Sequence, residues 1–158
     1  MVNCWSHSYS LLHNPFSVLD APARLAAVDY GTKRVGLALA DPTRTFAQPH
    51  GAFSQAEAVA ELKRLRDHAG GLDLVVVGWP LTEAGAEGAA TERVQQYVNR
   101  LRNALPGVEL TTWDERYTSE EAKAHIREAG GRHTRENRGR VDAAAAALIL
   151  QRYLDRDG

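Results

Sequence analysis

The sequence predicts one α/β domain built on a five-stranded mixed sheet with helices on both faces. Three observations lead there. Three strand patterns come in succession before the first helix, which suits antiparallel neighbours. From there strand and helix patterns alternate, as in parallel strands joined by crossover helices. The segment "LDLVVVGWP" (72–80) is apolar on both faces, as a strand covered from two sides must be.

Residues 1–23 hold Pro15 and Pro22 and no sustained period, so a poorly ordered N-terminal extension is expected, with the domain running over 24–158. "RLAAVDYG" (24–31) and "RVGLALAD" (34–41) read as strands separated by "TK", a hairpin-like spacing. "TFAQPHGAF" (45–53) is a weaker third strand, and Pro49 puts it at an edge. In "SQAEAVAELKRLRDHAG" (54–70), Ser54 and Glu57 form a capping box and the glycine pair Gly70-Gly71 stops the helix. After the central strand, "TEAGAEG" is a loop and "ATERVQQYVNRLRNAL" (90–105) an amphipathic helix ended by Pro106-Gly107. "VELTTWDE" (108–115) is the fifth strand. "YTSEEAKAHIREAGG" (117–131) is a short helix with Thr118 and Glu121 in capping-box positions, and "GRHTRENRGR" (131–140) a basic loop. The alanine-rich "VDAAAAALILQRYLD" (141–155) is the final helix.

Composition narrows the function classes. The chain is 44% hydrophobic and 25% charged, with a formal net charge of −1, so attraction to phosphates must come from local patches. The single cysteine, Cys4, excludes an internal disulfide and a thiolate metal site. No apolar run approaches the ~20 residues of a membrane span, and the first residues lack the basic start and apolar core of a signal peptide. A cytoplasmic protein without a membrane partner is expected. Zinc-protease, nucleophile-elbow and Walker-type phosphate-loop motifs do not occur.

Three carboxylates carry the chemistry. Asp29 ends the first strand, and Glu115, beside Asp114, ends the last one. Ligand sites in open α/β sheets form outside the carboxyl ends of strands, so these two share an edge. Asp142 opens the final helix. On a helical wheel it joins Ala146, Ile149 and Tyr153, while Gln151 and Asp155 fall opposite, so it extends the inward stripe. Each acid alone has a plainer explanation: an Asx turn at Asp29, a helix N-terminus at Asp142, a pair with Arg116 or Arg140 at Glu115. Together on one edge they repel unless a cation neutralises them. Oxygen-only ligation suits Mg2+ or Mn2+, and the matching chemistry is metal-assisted hydrolysis of a phosphodiester.

Four segments, "AAVDYGTKRVGLALADP", "LVVVGWPLTEAGAEG", "WDERYTSEEA" and "RVDAAAAALILQRYLD", resemble the YqgF/RuvX family, the resolvase-like branch of the ribonuclease H superfamily. The resemblance runs in order over about residues 25–155. It implies a ribonuclease H-like sheet and an Asp–Glu–Asp metal site on Asp29, Glu115 and Asp142. It also implies a cytoplasmic nuclease maturing the 5′ end of pre-16S rRNA, with branched DNA at a Holliday junction as the alternative substrate. A homodimer is compatible with the sequence. The loop after the fourth strand departs from the family in lacking an Asn and an Asp-Gly pair, and Trp79 stands where a smaller residue is usual.

Nucleic-acid contacts are expected from Lys33 and Arg34 in the first turn, from Arg116, and from Arg132, Arg135, Arg138 and Arg140. Trp79 could stack on a base or lie in the core. Two other classes compete with a nuclease. "DYGTKRVG" also resembles the first phosphate loop of the actin and sugar-kinase superfamily, but such proteins enclose nucleotide between two lobes and this chain supplies one. A non-catalytic RNA-binding assembly factor would have no use for three acids on one edge.

Overall fold

The computed structural model describes residues 22–68, 70–117, 124, 128 and 135–157. The expected extension, the Thr118–Glu121 capping box, most of its helix and Arg132 lie outside the described residues.

Five strands, β1 (Arg24–Tyr30), β2 (Val35–Ala40), β3 (Ala47–Phe53), β4 (Leu72–Trp79) and β5 (Glu109–Asp114), form one sheet in the order β3-β2-β1-β4-β5. The first three are antiparallel, and β4 and β5 run parallel to β1. Pro49 lies in β3, at the edge where its missing N–H costs least. Helices α1 (Gln55–Asp67) and α2 (Ala89–Ala104) cover one face, and α3 (Arg135–Asp157) covers the other.

Strand alternation sorts the side chains. Ala26 and Val28, Val35 and Leu37, and Val75 and Val77 point to the α1/α2 side. Leu25 and Ala27, Ala38 and Ala40, and Leu74 and Val76 point to the α3 side, where they meet Ala146, Ile149, Leu150 and Leu154. Every second residue of β1 therefore serves the α3 face, and the next in that series is Asp29.

The α1 capping box forms as expected: Ser54 Oγ accepts from Glu57 N–H at 3.2 Å, and Glu57 Oε2 accepts from Ser54 N–H at 2.9 Å. Further along α1, Glu61 accepts from Arg64 Nε at 2.8 Å and lies 2.6 Å from His50 Nε2 on β3. Arg64 first, and then His50, hold the Glu61 carboxyl down to about 2 against an ordinary value of 4.5. A carboxyl depressed in the folded state adds stability above its unfolded value and loses it as pH falls through the folded one. The melting temperature of the protein should therefore fall more steeply between about pH 4.5 and pH 2 than that of Glu61→Gln. Parallel curves would show that the cluster does not help hold β3 on α1.

Two expectations need correction. Residues 135–140 are not a loop: α3 extends through Arg135–Arg140, so Asp142 lies well inside the helix rather than at its start. The run of charges reads as a loop, and Gly139 costs about 1 kcal/mol in a helix interior. Packing overrides it here, because a Cβ at Gly139 would sit 3.5 Å from the Ala52 Cβ of β3, and α3 lies directly on β2 and β3. The β1–β2 link is also longer than "TK", spanning Gly31 to Arg34, which moves Arg34 off the strand and into the turn.

Candidate active site

The three predicted acids occupy one side and one end of the sheet. Asp29 is the penultimate residue of β1 and is half-buried. Glu115 follows directly on β5 in a single 3-10 turn, two residues after Trp113, which packs in the α3-side core. Asp142 lies on α3 itself, next to the buried Ala143.

Two glycines allow this arrangement. Gly36 pairs with Asp29 across the β1–β2 ladder, and a Cβ on it would run into the backbone carbonyl oxygen of Asp142. The helix thus rests on the strand beside Asp29 with only a hydrogen between them. On the other flank Val28 pairs with Val77, so Asp29 stands one residue on, level with Gly78. A Cβ on Gly78 would meet the Glu115 carboxylate and, at 2.8 Å, Ile149 Cδ1 of α3. The space that side chains would fill at Gly36 and Gly78 is filled by the two other acidic residues. Sequence reading passed over both glycines, although a glycine inside a strand is itself a sign of close backbone approach.

The turn after β1 is tethered from the opposite face. Gln55 Nε2, at the start of α1, donates to Tyr30 Oη at 3.1 Å and to the Thr32 carbonyl at 3.2 Å. At the far side of the site Arg116 binds Asp114, the acid next to Glu115. Its Nη2 lies 2.6 Å and its Nε 3.0 Å from Asp114 Oδ2, and this pairing holds the Asp114 carboxyl below its usual range. The same guanidinium lies against Gly85 in the β4–α2 loop, where a Cβ would be 2.8 Å from Nη1. Arg116 thus links the end of β5 to that loop.

Arg34 pairs with one of the acids: its Nε donates to Asp142 Oδ2 at 2.7 Å, with both side chains 30% exposed. The donor set, three oxygen ligands on one face of the sheet, fits a hard divalent cation in chemistry. It is not gathered as a ligand cluster in this structure. Among the described residues no three Asp, Glu, His or Cys side chains converge as metal ligands would. The physical reason lies in charge: clustered carboxylates repel one another, and Asp142 is compensated by Arg34.

The remaining predicted cations divide. Lys33 is exposed in the turn beside Arg34. Arg138 lies one helical turn before Asp142, on the same flank of α3 as Ile149, the flank turned toward β1 and β4. Position 135 falls on that stripe as well. Arg140 is exposed on the opposite flank, the side from which Gln151 reaches the β3 edge, bonding Ala47 N–H at 2.9 Å and the Thr45 carbonyl at 3.0 Å. Arg140 is therefore not on the acid side. Trp79 packs against the α1/α2-side core, on the sheet face opposite the acids.

The strand order, the mixed pairing and the helices on both faces define a ribonuclease H-like domain. The chain belongs to the RuvX family: residues 23–156 match that family, described as Holliday junction resolvase. A relative from Salinibacter ruber, provisionally named a pre-16S rRNA nuclease, is 56% identical over 143 residues, covering 90% of this chain and 99% of its own. A relative of the same name from Chlorobaculum tepidum is 44% identical over 133 residues, covering 84% and 93%. In three dimensions the chain resembles Thermus thermophilus RuvC in complex with a Holliday junction substrate. That likeness has a TM-score of 0.52 at 18% identity over 86% of this chain and 97% of the other, and it bears on the fold alone.

Proposed function

We propose that this protein is a divalent-metal-dependent nuclease, with Asp29, Glu115 and Asp142 as metal ligands and precursor 16S rRNA as substrate. The observation that carries the reading is the placement of three acidic residues on one face and one end of the sheet, with the Asp142 backbone seated over Gly36 and the Glu115 side chain over Gly78. The names of the RuvX relatives support RNA over branched DNA. Mg2+ or Mn2+ would supply an activated water and stabilise the leaving oxygen. The chain's own part is to hold the carboxylates at the strand ends and to bring cations to the phosphate backbone. Among the described residues no helix is long and apolar enough to cross a membrane, and a cytoplasmic role in ribosome maturation accords with the reading.

The direct test maps cleavage of a precursor rRNA fragment beside a synthetic four-way DNA junction, each with Mg2+, Mn2+ or chelator. Metal-dependent cutting of the RNA near the mature 5′ end is expected. Cutting confined to the junction would reassign the substrate, and binding without cutting would leave an assembly factor.

The position of the cations gives a second test. Arg138→Ala should weaken binding of single-stranded RNA of any sequence and lower the slope of log affinity against log salt by about 0.7. Arg140→Ala, on the far flank of α3, should leave that slope unchanged. Equal effects from both would mean that the RNA follows the whole helix rather than its acid side.

A further inference from the structure

We propose that Arg34 is an exchangeable counter-ion for Asp142, a positioning residue that occupies this carboxylate until a divalent cation takes it and that then turns to a substrate phosphate. The inference rests on the metal reading above and specifies how the site is charged and discharged.

Four features of the structure carry it. First, Asp142 Oδ2 accepts from Arg34 Nε at 2.7 Å, and this is the only hydrogen bond of either side chain among the described residues. Second, among the described residues no three Asp, Glu, His or Cys side chains converge as metal ligands. Third, both side chains are 30% exposed, so the pair is open to water and its contribution to stability is small. Exchange then costs little. Fourth, the Arg34 amino groups Nη1 and Nη2 form no hydrogen bond among the described residues, so the guanidinium carries donors in the fork geometry that suits a phosphate.

Placement completes the argument. Arg34 belongs to the turn that leaves Asp29, and a Cβ at Gly31 would run into the Arg34 carbonyl oxygen, so glycine lets this turn close beside the site. A guanidinium is charged at every relevant pH, so it and a divalent cation on the same carboxylate repel. One must leave. The cation that leaves is attached to the protein, next to the exposed Lys33, at the edge where the phosphate backbone has to arrive. Substrate and metal should consequently favour each other's binding, since each draws on the opposite partner of the same pair.

The test is a titration of the full chain with Mn2+ alone, followed by the free-ion signal in electron paramagnetic resonance. Wild type, Arg34→Gln, Arg34→Lys and Asp142→Asn are compared. Removal of the competing cation should make Arg34→Gln bind Mn2+ more tightly than wild type, by up to about five-fold given the exposure of the pair. Arg34→Lys keeps the charge and should fall between the two, and thermal melting of each variant reports folding. Mn2+ affinity that is unchanged or weaker in Arg34→Gln, while Asp142→Asn weakens it, would overturn the exchange and make Arg34 a fixed orienting group. An affinity that Asp142→Asn does not alter would instead remove Asp142 as a ligand, and both readings with it.

Discussion

Asp29→Asn is expected to abolish cleavage under Mg2+ or Mn2+ while leaving the melting temperature within a few degrees of the parent. Asparagine keeps the shape of aspartate and much of its hydrogen-bonding capacity, but it removes the charge that would hold a divalent cation in the proposed site. Asp29 stands between Gly36 of β2 and Gly78 of β4, and so between the elements that bring Asp142 and Glu115 to the site. No other acid has both neighbours, and loss of its charge should be the least replaceable. RNA binding without metal should persist, because in the function proposed above the cations on the turn and on α3 supply the phosphate contacts. Asp155→Asn is the matched comparison: Asp155 is exposed on the far flank of α3, accepts from Gln151 at 2.9 Å, and should leave cleavage intact. Cleavage at the parental rate by purified Asp29→Asn would remove the nuclease mechanism proposed above.

Gly36→Ala is expected to cost more stability than any other single methyl group added to the sheet. Its Cβ would strike the Asp142 carbonyl oxygen and lie 2.5 Å from the carbonyl carbon and 3.1 Å from Ala143 N. These atoms are helix backbone seated on β2, so relief requires α3 to lift off the sheet. Overpacking typically costs about 1–3 kcal/mol, and immovable backbone atoms put this site at the top of that range, about 6–12 °C in melting temperature for a chain of this size. Gly139→Ala, the same chemical change on the other partner of this packing, should have the opposite sign. Its Cβ makes an ordinary 3.5 Å contact with Ala52, and alanine is favoured in a helix interior by about 1 kcal/mol. Differential scanning calorimetry of the two variants measures both. Equal melting temperatures would mean that α3 does not rest on Gly36.

Because α3 carries Asp142, a helix lifted by Gly36→Ala should also lose metal binding, and the two tests read the same contact from opposite sides. Glu115 is reached similarly through Gly78, although there the obstructing atoms are the ends of flexible side chains, and a methyl group should be tolerated better.

The sequence by itself determined the strands and their order of appearance, and it singled out three candidate acids. Those features are local: period-two alternation in β1, a double-sided apolar run in β4, a capping box at Ser54, and carboxylates where apolar runs end. Each is read within a few residues, because backbone sterics and burial act over that range. The edge position of β3 was legible for the same reason, since Pro49 lacks a donor whatever the rest of the chain does. The start of α3 was not. Gly139 and a run of charges look like a loop, and only the surface offered by β2 and β3 makes the helix cheaper than the alternative. The partners of charges were equally hidden. Nothing near Arg34 in sequence points to Asp142, which lies 108 residues on. Nor does the sequence say which arginines of α3 face the acids, because that follows from the angle at which the helix lies on the sheet. Ion pairs and helix faces are settled by distances between elements far apart along the chain. Those distances exist only once two strand glycines have let a helix and a carboxylate come down onto the sheet.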